Sequence, residues 1–234
     1  MAKIEELYKK DKMNFYNNKL SATNYLKILD SQKSKFSKEF IIKNYGSLVG
    51  DRAFYKLLIC FELLGKTKDI KGDIIEFGVW NGNNLLTLKK ISDYFKTKKK
   101  LIGYDHFKGM PKNKQKNNFI GQKDLIDHFI KFFNLNKIRI INDDIMNLKK
   151  YLSSFNKFSF IYIDCDIYKT TKLILESLSK KLSKGGIVVF DEGNQKKKSG
   201  ETKAMREFFK NNKKQFKKII LKKGYQPDIY IQKI

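Results

Sequence analysis

The chain has 234 residues, 41% of them hydrophobic and 14% aromatic, which suits one α/β domain with a small appendage and excludes a disordered protein. No run approaches the ~18–20 apolar residues of a membrane span, and two distant cysteines, Cys60 and Cys165, exclude a disulfide framework. Basic residues outnumber acidic ones by 50 to 24, giving a net charge of +26, a surplus typical of nucleic-acid-binding proteins.

The make-up of this surplus argues against a nucleic-acid partner. Only three basic residues are arginine, namely Arg52, Arg139 and Arg206, although arginine is the preferred side chain for forked contacts to phosphates and bases. The lysines are also spread along the chain, which favours compositional drift; a nucleotide sugar or a polysaccharide would account for the charge as well as RNA would. The charged first residues lack the apolar stretch of a signal peptide, so we expect a cytoplasmic protein.

The pattern of the chain changes near residue 70. The first 70 residues have the periodicity of polar helices, and the last of these helices, predicted over about Val49–Lys66, carries an apolar stripe. From residue 71 onward, short apolar strands alternate with amphipathic helices. The predicted strands are Asp73–Val79, Leu101–Asp105, Ile138–Asp143, Phe158–Asp166 and Gly186–Asp191, the helices are Asn84–Phe95, Lys123–Phe133, Tyr168–Lys181 and Glu201–Asn211, and a hairpin of Phe216–Lys222 and Asp228–Lys233 closes the chain.

This order predicts two parts. Residues 1–70 form a helical extension that serves as a lid or a dimer surface, and residues 71–234 form a Rossmann-like α/β domain. Its seven-stranded sheet is expected to be mostly parallel with an antiparallel C-terminal strand. Such sheets bind ligands at the carboxyl ends of their strands, so these ends are where the chemistry is expected.

A glycine-rich turn joins the first predicted strand to its helix. Gly78 and Gly82 allow a tight turn and a close approach of a ligand to the backbone. Glu76 can hold a cationic amino group, as S-adenosylmethionine offers, whereas it would repel a pyrophosphate. The alternative is an ordinary strand-to-helix turn with Trp80 in the core.

Acidic residues follow the next two strands. Asp105 lies where an acid accepts hydrogen bonds from both ribose hydroxyls of a nucleoside, unless it is only a solvated strand end. After the third strand, one carboxylate of Asp143 and Asp144 could meet an adenine amino group, or could cap the following helix.

Four further acids follow two later strands. Alternation places Asp164 and Asp166 on one face of the fourth strand, and Asp191 and Glu192 end the fifth. If these strands are neighbours, the carboxylates converge and a bound cation relieves their repulsion. Oxygen ligands suit Mg²⁺, Ca²⁺ or Mn²⁺; caps and solvated strand ends are the alternative. Cys165, between the two aspartates, is expected to face the core.

Together these segments resemble the macrocin O-methyltransferase (TylF-type) family, class I S-adenosylmethionine-dependent methyltransferases that include mycinamicin and novobiocin sugar O-methyltransferases. The resemblance runs from about Ser37 to the C-terminus and rests on EFGVWNG, YDHFKGMP, IDCDIYKTT, GGIVVFDE and GETKAMREFF. It implies a metal-dependent O-methyltransferase whose acceptor is a hydroxyl of a sugar, a nucleotide sugar or a polysaccharide, and which is a possible homodimer. The alternative favoured by the charge is an RNA-directed methyltransferase, which would bind RNA in a salt-sensitive way.

The resemblance also implies a role for each motif residue in cofactor binding. Glu76 and Gly78 would line the methionine part of S-adenosylmethionine, Asp105 would hold the ribose, and Asp144 would lie near the adenine. The full cofactor-binding set that it implies is Glu76, Gly78, Gly82, Asn84, Asp105, His106 and Asp144. Asn84 stands where the family usually has serine, and His106 where it has serine or threonine.

For the reaction itself, the resemblance implies that Asp164, Asp191 and Glu192 ligate Mg²⁺ or another hard divalent cation and that Asp166 is the general base. Glu192 replaces the family's usual aspartate, so its charge is kept but displaced. The lysine-rich residues 193–199 differ most from the family, and the acceptor cannot be carried over from it.

Overall fold

The computed structural model describes Lys43 and residues 51–110, 119–194, 199–221 and 226–234. The predicted helices before residue 51 therefore lie outside the described residues, apart from Lys43. The chain divides into two compact units, residues 1–59 with 223–226, and residues 60–222 with 227–234. The fold and the candidate site below belong to the second unit.

Strands and helices alternate in the predicted order. The helices are α1 (Asp51–Thr67), α2 (Asn83–Tyr94), α3 (Lys123–Phe132), α4 (Tyr168–Leu178) and α5 (Gly200–Asn212). The strands are β1 (Asp73–Phe77), β2 (Leu101–Asp105), β3 (Ile138–Asn142), β4 (Phe158–Ile163), β5 (Leu182–Phe190), β6 (Phe216–Ile220) and β7 (Ile229–Lys233). A 3₁₀ helix, Ile145–Ser154, connects β3 to β4 and was not predicted.

The seven strands form one sheet in the order β3-β2-β1-β4-β5-β7-β6. All pairings from β3 to β5 are parallel, and β7 runs antiparallel to both β5 and β6. The prediction of a mostly parallel, seven-stranded α/β sheet with an antiparallel C-terminal strand is confirmed. Because β1, β2, β4 and β5 are parallel neighbours, the segments that follow them meet at one edge of the sheet, the carboxyl edge.

The predicted end of the fourth strand was wrong. β4 ends at Ile163, and the Asp164 backbone N–H still donates to the Phe77 carbonyl at 2.9 Å. The backbone then leaves the extended conformation, with a positive φ of 56° at Asp166, and turns into α4. Strand alternation therefore does not set the directions of the Asp164 and Asp166 side chains, because both residues lie in a turn.

The fifth strand begins earlier than predicted. It starts at Leu182 rather than Gly186. Its register with β4 shifts between Phe158 and Phe160. Gly185 has a positive φ of 78°, so the lysine-glycine segment forms an irregular start that hydrophobic patterning does not reveal.

The central strands β1, β2 and β4 are buried on both faces, as parallel strands covered by helices should be. Every residue of β4 is buried, and the core includes Phe77 of β1, Tyr104 of β2 and Phe190 of β5. Among the described helices, none is long and apolar enough to cross a membrane. The rigid core fixes the carboxyl edge, where the remaining polar residues gather.

Candidate active site

The turn after β1 brings the backbone of two loops together. Gly78 has a φ of 84°, and a β-carbon there would lie 1.9 Å from the Asp164 carbonyl oxygen. Gly82, with a φ of 80°, begins α2. Glycine is required at Gly78 both by its conformation and by this contact, which ties the glycine turn to the acidic turn after β4.

Glu76 is buried at the base of the glycine turn, with 1% of its surface exposed. The Asn84 side-chain amide donates to Glu76 Oε1 at 3.0 Å, and the Cys60 thiol donates to Asn84 Oδ1 at 3.7 Å. Asn84 therefore holds the Glu76 carboxylate in place.

Asp105 connects two loops at the end of β2. Its Oδ2 accepts from the Trp80 backbone N–H at 2.8 Å, and its Oδ1 accepts from the Phe107 N–H at 2.7 Å. Trp80 itself is not in the core: it is 39% exposed, and its ring packs edge-on against Phe119 at 5.8 Å between centroids. The turn thus presents an aromatic pair beside a fixed carboxylate.

His106 lies beside Asp105 but does not form a hydrogen-bonded ion pair with it. Its Nδ1 accepts from the Lys108 backbone N–H at 3.0 Å and lies 3.6 Å from Asp105 Oδ1. The imidazole is held by its own loop, and its predicted contact with a cofactor stays a prediction.

The two acids after β3 both have partners within their own loop. Asp144 caps the 3₁₀ helix, where its Oδ1 accepts from the Met146 N–H at 2.8 Å, as the capping alternative predicts. Asp143 accepts from the Asn147 amide at 2.8 Å and from the Tyr151 hydroxyl at 2.9 Å. These two hydrogen bonds lower the pKa of the Asp143 carboxyl.

The four acids predicted at the ends of β4 and β5 follow neighbouring strands. The Asp191 backbone N–H donates to the Ile163 carbonyl at 3.0 Å, so the ladder between these strands extends to the edge. Asp191 is buried and its Oδ1 accepts from the Tyr162 hydroxyl at 2.6 Å. Asp164, Asp166 and Glu192 are partly exposed.

Sequence reasoning missed Glu201, which belongs to the same cluster. Its carboxylate is fully buried, and it accepts from the Glu192 N–H at 2.8 Å and from the Cys165 N–H at 3.4 Å. Burial raises the pKa of the Glu201 carboxyl well above its usual range, and the negative charge of Asp164 acts in the same direction. Helical spacing could have revealed it, because Ala204 and Met205, three and four residues later, are also buried.

Cys165 is not placed for nucleophilic chemistry. Its side chain is buried in the core, as predicted, and burial raises the pKa of the thiol well above its usual range, which disfavours the reactive thiolate. Among the described residues, no group of three or more His, Cys, Asp or Glu side chains is assembled to hold a metal ion.

The fold of the chain is similar to those of known methyltransferases. The chain is similar in fold to CalS11, a TDP-rhamnose 3'-O-methyltransferase of calicheamicin biosynthesis, with 22% identity, a TM-score of 0.71, and coverage of 94% of this chain and 97% of CalS11. It is also similar to the O-methyltransferase NovP, with 17% identity, a TM-score of 0.62, and coverage of 80% and 81%. An rRNA methylase from Streptococcus thermophilus has 15% identity and a TM-score of 0.52, with coverage of 76% and 96%.

These likenesses show a Rossmann-like methyltransferase fold. No curated protein matches the chain. The family profile described as macrocin-O-methyltransferase (TylF) matches residues 6–221. The chain therefore belongs to the macrocin-O-methyltransferase (TylF) family of O-methyltransferases.

Proposed function

We propose that this protein transfers a methyl group from S-adenosylmethionine to a hydroxyl of a sugar, in a reaction that requires a divalent cation. The observation that carries the proposal is the gathering of acids after β1, β2, β4 and β5 at one edge of the sheet. CalS11, described as a TDP-rhamnose methyltransferase, supports a nucleotide-linked sugar as the acceptor to test first.

The side of the edge near β1 and β2 fits S-adenosylmethionine. Glu76 is a buried acid held by Asn84, and a carboxylate there suits the ammonium group of the methionine part. Asp105 is fixed by two backbone N–H groups and can accept from the ribose hydroxyls with its remaining lone pairs. The two acids follow neighbouring strands, so one extended ligand can reach both.

The side of the edge near β4 and β5 fits a hard divalent cation by the chemistry of its donors. Asp164, Asp191 and Glu192 would hold the ion through carboxylate oxygens, which Mg²⁺ and Mn²⁺ prefer. When bound, such an ion lowers the pKa of a coordinated hydroxyl and orients it. Glu192 follows Asp191 directly and is partly exposed.

Asp166 is the proposed general base. Its positive φ of 56° turns it out of the β4 direction, and its side chain is partly exposed at the edge. It takes the proton of the acceptor hydroxyl as the hydroxyl oxygen attacks the methyl group, and the S–CH₃ bond breaks in the same step. The protein contributes chiefly by positioning the reactants and by electrostatics.

Radiolabelled S-adenosylmethionine and a panel of nucleotide sugars test the proposal. We expect label transfer to a sugar, loss of transfer after exhaustive chelation, and recovery on addition of Mg²⁺ or Mn²⁺. Full activity after chelation would show that the reaction does not require a divalent cation. Transfer to RNA but to no sugar would favour the RNA-directed alternative, whose RNA binding would also weaken steeply as salt is added.

A further inference from the structure

We propose that Glu201 is a positioning residue that sets the spacing between the two acidic turns, so that their carboxylates can meet one cation. The inference rests on the proposed function. Glu201 does not touch the cation or the acceptor in this role; it acts through the backbone of the two turns.

The contacts of Glu201 join the two turns directly. One carboxylate oxygen accepts from the N–H of Glu192, which follows β5, and the other accepts from the N–H of Cys165, which follows β4. Cys165 separates Asp164 from Asp166, so the second bond is to the residue between the proposed ligand and the proposed base. A single buried carboxylate therefore ties together backbone segments 27 residues apart along the chain, from Cys165 to Glu192.

The rest of the first turn of α5 reinforces this connection. The Glu192 carbonyl accepts from the Ser199 hydroxyl at 2.9 Å and from the Thr202 hydroxyl at 2.5 Å, so both backbone polar groups of Glu192 are fixed by α5. Gly200 approaches the other turn, where a β-carbon would lie 2.3 Å from the Tyr168 nitrogen and 2.7 Å from the Asp166 carbonyl oxygen. Residues 199–202, which we call the α5 clamp, thus touch both acidic turns.

The contacts explain why a side chain with two oxygens is needed. Two N–H donors face one side chain, and only a group with two acceptor oxygens satisfies both. Glutamine can satisfy one N–H, but its amide NH₂ then opposes the other. Replacing a residue that orients metal ligands without binding the metal itself usually lowers metal affinity about 10–100-fold.

Glu201→Gln tests the clamp, with Mn²⁺ affinity measured by electron paramagnetic resonance and binding of S-adenosylhomocysteine measured by calorimetry. We expect Mn²⁺ affinity to fall about 10–100-fold and S-adenosylhomocysteine affinity to stay near the wild-type value, because Glu76 and Asp105 follow other strands. The matched control is Glu176→Gln, which makes the same change at an exposed position of α4 and should leave both affinities unchanged.

The outcomes separate the clamp from the proposed function. Mn²⁺ affinity unchanged in Glu201→Gln, in a protein whose wild type binds Mn²⁺, would overturn the clamp alone. A wild type that binds no Mn²⁺ would overturn the metal in the proposed function, and the clamp with it. If Glu201→Gln does not fold, Thr202→Val decides: it removes one of the two hydroxyls that hold the Glu192 carbonyl, and we expect a smaller loss of Mn²⁺ affinity in the same direction. No loss in that folded variant would contradict the clamp.

Discussion

Lysines and carboxylates hold the backbone at different edges of the sheet, apart from Asp73, which accepts from the Lys100 N–H at the amino edge. At the amino edge, where the parallel strands begin, lysines donate to backbone carbonyls: Lys99 to Ile70 and Gly72, Lys181 to Phe155, and Lys233 to Ser179 and Leu182. At the carboxyl edge, carboxylates accept from backbone N–H groups: Asp105 from Trp80 and Phe107, Glu201 from Cys165 and Glu192, and Asp228 from Asn194.

This polarity follows from the βα connections. Each helix that follows a parallel strand begins at the carboxyl edge and ends at the amino edge, so its partly positive N-terminus and partly negative C-terminus face opposite edges. Glu201 lies in the first turn of α5, and Lys233 donates to Ser179, the residue that ends α4. The helix ends therefore favour carboxylates at the carboxyl edge and lysines at the amino edge.

The lysines at the amino edge account for part of the net charge of +26. Lys99, Lys181 and Lys233 are engaged with the chain's own carbonyls, and burial lowers the pKa of Lys99 and of Lys233. These lysines serve the fold, which agrees with the expectation that the charge does not by itself imply RNA.

The largest expected effect is that of Asp166→Asn. Asparagine also tolerates a positive φ, so the turn should keep its shape while the basic group is lost. We expect turnover to fall ~10²–10⁴-fold, with Mn²⁺ and S-adenosylhomocysteine affinities near wild type, measured by single-turnover kinetics and calorimetry. Asp73→Asn, the same change at the amino edge, should leave turnover unchanged. A joint loss of Mn²⁺ affinity and turnover in Asp166→Asn would make Asp166 a metal ligand instead.

The next effect concerns Asp105, compared with an acid one strand away. Asp105→Ala should weaken S-adenosylhomocysteine binding by about tenfold or more, since hydrogen bonds to a charged group contribute about 1.5–3 kcal/mol each. Asp143→Ala removes the same charge after β3, but Asp143 serves its own loop, so affinity should hold. Calorimetric titration of both variants with S-adenosylhomocysteine measures the two affinities. Equal affinities would show that Asp105 does not bind the cofactor.

Most of the fold was predictable because its signals are local. Apolar runs such as Phe160–Ile163 and Ile187–Phe190 are buried and pair as neighbours. This is what a chain of alternating strands and helices predicts for the strands of a parallel sheet. The ends of elements were less predictable, because β4 stops at Ile163, before the positive φ of Asp166, and alternation shows neither. The 3₁₀ helix after β3 was not among the predicted elements.

The candidate site was predictable only in part, for a different reason. The acids after each strand could be found from their positions, but their partners could not. Asp144 caps the 3₁₀ helix, and Asp191 accepts a hydrogen bond from the Tyr162 hydroxyl. Glu201 accepts hydrogen bonds from backbone N–H groups of both acidic turns. These contacts join residues up to 36 positions apart, as between Cys165 and Glu201, and depend on how α5 packs.

At the amino edge, Lys99→Met should affect stability rather than activity. Lys99 also donates to the Ser159 hydroxyl at 3.0 Å, so its loss leaves several acceptors without their partner, at a cost of about 1 kcal/mol. Urea unfolding should show this loss, while turnover stays at the wild-type level. Lys100→Met, the exposed neighbour, is the control and should unfold as the wild type does. A large loss of turnover in Lys99→Met would show that the amino edge contributes to activity as well as to stability.

The smallest expected effect belongs to Asp143, the carboxyl-edge acid whose hydrogen bonds stay within its own loop. Hydrogen bonds from Asn147 and Tyr151 lower the pKa of Asp143, so they stabilise the fold above the ordinary aspartate pKa of about 4. This stabilisation is lost as pH falls through the lowered pKa, when the carboxylate is protonated in the folded protein. Tyr151→Phe removes one donor, so the pKa of Asp143 should move up towards its ordinary value. The loss of stability at acid pH should then be smaller and should end at a higher pH, with activity at neutral pH unchanged. Carboxyl-detected NMR titration of Asp143 measures the pKa directly, and an unchanged value would show that the Tyr151 hydroxyl contributes nothing to this carboxylate in solution.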